Sequence, residues 1–142
     1  MVSKKFLLVI LITPILTAML ALFYIENFII FDSYEVNMDV KVIEGQIIGV
    51  NVDTDGVHFG KVPRGGEGLR YITLTNNDSK PHFINIKSFG NISRFVYVSK
   101  NNFIMMPKTQ ENITVMAKIP PEAETGFYSG VLKVTFQNII FG

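Results

Sequence analysis

The hydrophobic and polar positions of this chain follow two regimes. Phe6 to Tyr24 reads FLLVILITPILTAMLALFY, an apolar run with no charged residue and no polar face. Beyond it the period changes to two. Val36, Met38, Val40 and Val42 alternate with Asn37, Asp39 and Lys41, and Ile113, Val115, Ala117 and Ile119 alternate with Asn112, Thr114, Met116 and Lys118. A period of two puts one apolar face on a strand. Tyr71, Thr73 and Thr75 against Ile72 and Leu74, and Ile84 and Ile86 against Asn85 and Lys87, predict two more strands. Shorter extended pieces are expected at 47–52, 57–62, 95–98 and 103–106, and a last long strand or strand pair over 127–136. Asn, Asp, Gly and Pro clusters punctuate them at 51–56, 63–68, 76–81, 90–93 and 120–125. No helical period follows residue 32. Many short strands at regular spacing predict a mainly β fold, an antiparallel β-sandwich behind a single N-terminal helix.

The apolar run is expected to be a transmembrane anchor. At about 1.5 Å per residue it spans roughly 28 Å, against a hydrocarbon core of about 30 Å. Twelve of its residues are Leu, Ile, Val or Phe, which favour insertion by roughly 4 to 7 kcal/mol. Pro14 is tolerated in a membrane helix as a kink. A buried core helix is the weaker reading, since no face is left for water. A cleaved signal peptide is disfavoured by the length of the run and by Ala18 and Ala21 lying three apart rather than two. A pilin-type leader would want a small residue where Phe6 follows Lys5. Lys4 and Lys5 precede the run; Glu26, Asp32, Glu35 and Asp39 follow it. The positive-inside rule puts the N-terminus in the cytoplasm and the remainder outside the cell membrane. The expected organisation is a cytoplasmic tip at 1–5, an anchor at 6–24 that could extend to 31, a stalk at 25–35 and a β domain at 36–142.

Composition narrows the function classes. The net charge of +1 offers no case for nucleic acid. With no cysteine there is neither a disulfide framework nor a thiolate nucleophile. Three Asn-x-Ser/Thr sequons, at Asn77, Asn91 and Asn112, are glycosylation candidates and are expected at turns or strand edges.

Two stretches resemble a known family. Val57-His58-Phe59-Gly60-Lys61-Val62-Pro63, then Tyr71 to Ser79, is similar to the opening of Ig-like domains of the ASPM/SPD-2/Hydin and major-sperm-protein type. Pro120-Pro121 followed by Gly126 to Val134 is similar to their close, and to that of related prokaryotic surface domains. The resemblance covers roughly residues 47–137. It implies a seven- or eight-stranded Ig-like sandwich with nothing catalytic, in roles such as adhesion, scaffolding, envelope assembly or pilus chaperoning. Independently of the family, Gly60 and Gly130 are expected to permit a bulge or a close backbone approach. Tyr128 is expected to bury its ring and find a partner for its hydroxyl.

Candidate chemistry is sparse. Asn51, Asp53 and Asp55 match the first half of a calcium loop, but the twelfth position is Val62, which donates no oxygen; a solvated Asp-Gly turn is the better reading. His58 and His82 lie far apart with no acidic neighbour at ligand spacing, so no zinc site is expected. Ser129 lies outside a Gly-x-Ser-x-Gly elbow, Glu122 and Glu124 read as a solvated loop, and the glycines of 64–68 lack a phosphate-loop close. No cofactor and no enzymatic activity are expected. Phe103, Ile104, Met105 and Met106 cannot all face one core; a buried sheet-crossing segment is the favoured reading, and a partner surface is the other. The expected partners are the lipid bilayer, through the helix, and another membrane or envelope protein. The expected function is a membrane-anchored extracytoplasmic binding, scaffolding or envelope-assembly module. The alternative is a pilus or filament-type subunit in which Val36–Val42 or Ile139–Phe141 completes a neighbour's sheet by strand addition.

Overall fold

Lys4–Tyr24 forms helix α1, with Pro14 inside it. The computed structural model describes residues 4–45 and 55–139, so the apolar run at 47–52 lies outside the described residues. Each described side chain from Phe6 to Ile25 is exposed, whichever way it points around the helix. The hydroxyls of Thr13 and Thr17 turn back onto the carbonyls of Val9 and Thr13, at 2.7 and 2.9 Å. Among the described residues, no helix is long and apolar enough to cross a membrane.

A π-helical turn, Ile25–Ile29, leads directly into β1, Ile30–Ile43. Then come β2 (Val57–Pro63), β3 (Glu67–Thr75), β4 (His82–Gly90), a 3-10 turn (Ser93–Phe95), β5 (Val96–Val98), β6 (Phe103–Met105), β7 (Gln110–Lys118) and β8 (Gly126–Asn138). They make two sheets, a five-stranded one in the order β2-β1-β8-β4-β6 and a three-stranded one in the order β3-β7-β5. The core lies between them. Met38, Val40 and Val42 of β1, Ile84 and Ile86 of β4, and Leu132 and Val134 of β8 meet Leu74 of β3 and Ile113, Val115 and Ala117 of β7. These are the alternating residues of the sequence, and their burial is what holds the sheets together.

The strands depart from the sequence reading in two places. Residues 30–35, expected in a stalk, are the first half of β1 and pair antiparallel with β8 as far as Ile30 opposite Gln137. The fully antiparallel sandwich has one exception: β1 and β2 run parallel, Met38 opposite Val57 and Val42 opposite Val62. A parallel pair needs a connection of about a dozen residues to return the chain, and residues 44–56 supply it. Of the strand or strand pair expected over 127–136, the single strand is the one found, as β8. Because Met38–Val42 lies between β2 on one side and β8 on the other, that part of the expected donor strand Val36–Val42 is already paired on both edges.

Both glycines behave as expected. Gly60, at φ +70°, is the extra residue where β2 takes three steps to two on β1. A Cβ on Gly130 would lie 1.9 Å from the Phe89 carbonyl oxygen, so β8 and β4 meet there backbone to backbone. Tyr128 is buried, and its hydroxyl donates to the Glu124 carbonyl at 2.9 Å.

Candidate functional site

The site begins with a bulge. Ile30 pairs with Gln137 and Asp32 with Phe136, so β1 takes two steps for one on β8 and Phe31 is the extra residue. A bulge re-aims a side chain. Here it sets the Phe31 ring on the imidazole of His82, centroids 4.1 Å apart and planes 22° apart. Phe136 meets the same imidazole edge-on at 6.5 Å, and Tyr34 lies 6.3 Å from Phe136. The rings of Phe31, Tyr34 and Phe136 form one wall of a cleft of about 410 Å³, with Asp32 beside them.

The loop between β3 and β4 forms the other wall, through Thr75, Asn76, Asn77 and Asp78. Asn76 is its hub. Almost wholly buried, it donates from Nδ2 to the carbonyls of Lys80 and Met106, at 2.9 and 3.1 Å, and accepts from the Asp78 amide at 3.0 Å. This ties the loop to the end of β6. Asp78 accepts from the Ser79 amide at 2.7 Å through one oxygen and from His82 Nε2 at 2.9 Å through the other. His82 is wholly buried, and its Nδ1 has no hydrogen-bond partner among the described residues.

Charge in the cleft follows from these bonds. The Ser79 amide, then the His82 hydrogen bond, pull the Asp78 carboxyl below its ordinary value. Burial, with the Asp32 charge adding to it, pushes the Tyr34 phenol above its own. At neutral pH the cleft therefore presents an anchored carboxylate and a phenol that remains a donor.

A second histidine sits between two carboxylates. His58 Nδ1 bonds Asp39 on β1, and Nε2 bonds Asp55 at 3.2 Å. The expectation that neither histidine has an acidic neighbour is thus corrected for both. Asp39 reaches His58 through strand pairing, which spacing along the chain does not reveal. The Asp78–His82 pair, four residues apart around Lys80-Pro81, was open to sequence reasoning as a turn.

Of the calcium-loop residues, Asn51 and Asp53 lie outside the described residues, and Asp55 is the His58 partner just given. Among the described residues no three His, Cys, Asp or Glu side chains are grouped to hold a metal ion. Asn77 is exposed on the cleft wall, and Asn91 follows β4 with its Oδ1 accepting from the Ser129 amide at 2.8 Å. Asn112 lies within β7 opposite Thr73, rather than at a turn, and accepts from that hydroxyl at 2.9 Å. Over Phe103–Met106 the burial alternates: Met105 is buried, Phe103 half-buried, Ile104 and Met106 exposed. Glu122 and Glu124 line a second cleft, of about 450 Å³, with Arg94, beyond the Gly126 end of β8 and so far from the one at Phe31.

Comparison with family models, with curated proteins and with solved structures finds no match to this chain.

Proposed function

We propose that this chain is a single-pass membrane protein whose β-sandwich, Ig-like in kind, is a non-catalytic binding module held just outside the bilayer, with the cleft at Phe31 as its recognition site. The observation that carries this reading is the exposure of α1. Leu8, Ile10, Leu11, Ile15, Leu16, Met19, Leu20 and Leu22 point in all directions around the helix and each is about half or more exposed. In water such a surface is strongly unfavourable, at about 25 cal/mol per Å²; in lipid it is at home. Residues 8–24, over which every side chain is described, fall short of a span; counted from Lys4 the helix has 21 residues and is about 31 Å long, close to the hydrocarbon thickness. Its threonine hydroxyls are satisfied within the helix, which suits a medium without water. The basic flank before it and the acidic one after it favour a cytoplasmic N-terminus. The Ig-like kind rests on the motifs at 57–79 and 120–134 and on the Tyr128–Glu124 bond, of the sort found at sandwich corners.

Alkaline carbonate washing of membranes from cells expressing the full chain tests the tether. The chain should stay with the membrane pellet; release into the wash would overturn the reading.

The alternative, assembly by strand addition, is favoured by a different observation. Over Ile30–Asn37, β1 pairs with β8 on one edge and with no strand on the other among the described residues. That edge is a place to receive a strand rather than to donate one. Salt-resistant polymers after detergent extraction would support it; a monomer or one defined complex would oppose it.

A further inference from the structure

We propose that the cleft between Phe31 and Asp78 binds an organic cation, a ligand presenting an alkylammonium group. This deepens the binding-module reading and rests on it.

Two kinds of group converge on this cavity, and both favour a cation. The first is aromatic. Phe31 has its ring against His82 yet remains 51% exposed, and Tyr34 is 37% exposed. An ammonium over such a ring is attracted by the negative face of the π system, by about 0.5 to 2 kcal/mol. The second is anionic. Asp78 is held in place by His82 and the Ser79 amide, so a cation does not have to order it. Asp32 lines the same cavity, and its exposed carboxylate is given no hydrogen-bond or ion-pair partner among the described residues. Among the described residues no Lys or Arg lines the cleft, and the one basic partner of its carboxylates is the buried His82 behind Asp78. The Lys108 ammonium, beside the loop, is bound to the Asn77 carbonyl.

The alternatives fit less well. An anion would face the Asp32 carboxylate directly, and His82 is already engaged with Asp78 on its buried side. A neutral sugar would find rings and amides, but it would leave the Asp32 charge unused. A volume of about 410 Å³ lies within the usual range for a small-ligand cleft and takes an ammonium with a few carbons. Such a group could be the amine of a lipid headgroup or a free amine in solution; both share the recognition chemistry.

The test uses the full chain, isotope-labelled, in uncharged maltoside micelles, because a choline detergent would compete. Ethylammonium chloride is added while the amide resonances of Phe31–Tyr34 and Thr75–Asp78 are followed, with sodium chloride, sodium ethanesulfonate and glucose as controls. Ethylammonium should move both groups of signals saturably while the controls leave them in place. Asp32→Asn should weaken binding about tenfold, with Asp32→Glu restoring it, a change equivalent to about 1.4 kcal/mol. Asp32 is exposed, so the spectrum of Asp32→Asn away from the cleft should be unchanged, which separates lost binding from lost folding. The proposal is overturned if ethylammonium leaves these signals in place, if glucose moves them as strongly, or if Asp32→Asn binds as well as the parent. In nanodiscs, the same shifts with ethanolamine lipids and no added amine would identify the headgroup as the source. Shifts only with added ethylammonium would assign a free amine. The micelle titration reads the cleft wherever α1 resides, so a failed carbonate test with a successful titration would remove the membrane reading alone.

Discussion

Phe31 lies flat on His82, ring centroids 4.1 Å apart: one residue comes from a bulge in β1, the other from the start of β4, both beside the last residues of β8. The stack covers a wholly buried imidazole whose Nε2 anchors Asp78. Phe31→Ala should therefore uncover His82 and cost about 1 kcal/mol, in the range of an aromatic pair beyond its area. The urea midpoint of the full chain in detergent measures this. Phe31→Leu, which restores apolar cover without the flat face, should recover only part of it.

His58 gives the fold a basic-side pH dependence. Its hydrogen bond to Asp39 is the main cause that raises its pKa above 6.5; burial opposes this, and the charge of Asp39 and the bond and charge of Asp55 add to it. A folded value above the unfolded one means a contribution that is complete below about 6.5 and disappears as pH rises through the folded value. Unfolding midpoints should fall between about pH 6 and a pH above that value. In His58→Asn this slope should flatten. An unchanged slope in the variant would remove His58 as its source.

Asp78 acts at the acid end with the opposite sign. Its carboxyl is held below 3.8 by the Ser79 amide first and by His82 second. The contribution is present above about 3.8 and is lost as pH falls through the folded value. Asp78→Asn should be the less stable protein at neutral pH and should show a shallower acid limb. Circular dichroism at 215 nm or so, followed during acid titration, reads both.

Gly130 has no room for a side chain. A Cβ there would stand 1.9 Å from the Phe89 carbonyl oxygen and 2.9 Å from Ile92 Cγ2, and the first of these is backbone paired across the sheet. Gly130→Ala must separate β4 from β8, at a cost of roughly 3 kcal/mol or more. The expected readout is loss of amide protection in Ser88–Gly90, or failure to accumulate the folded protein.

Tyr128 tests the far end of the sandwich. Its hydroxyl bonds the Glu124 carbonyl at 2.9 Å, its ring packs edge-on against Phe95 at 5.0 Å, and Arg94 stands 5.0 Å above it. Tyr128→Phe keeps the ring contacts and loses the one hydrogen bond, so the cost should be about 1 kcal/mol. Tyr128→Ala removes both and should cost about 3 to 5 kcal/mol. Equal losses in the two variants would contradict this division.

Much of the architecture is local in origin, and so it was legible along the chain. A strand with one dry face alternates, and the inward residues Ile113, Val115, Ala117 and Ile119 are all buried. Gly60, Gly130 and Tyr128 follow from what a small or an amphipathic side chain does in a tightly packed sheet. The apolar continuity of α1 is likewise a property of consecutive residues. Pairing between distant parts of the chain is a different matter. Ile30 to Glu35 do not alternate cleanly, and their strand character comes from β8, about a hundred residues on. The parallel placement of β2 brings Asp39 to His58. A single bulge turns Phe31 onto His82 and opens the cleft beside it. Local periodicity reports which residues leave water; register and bulges depend on how whole strands fit one another, and only the folded sheets decide that.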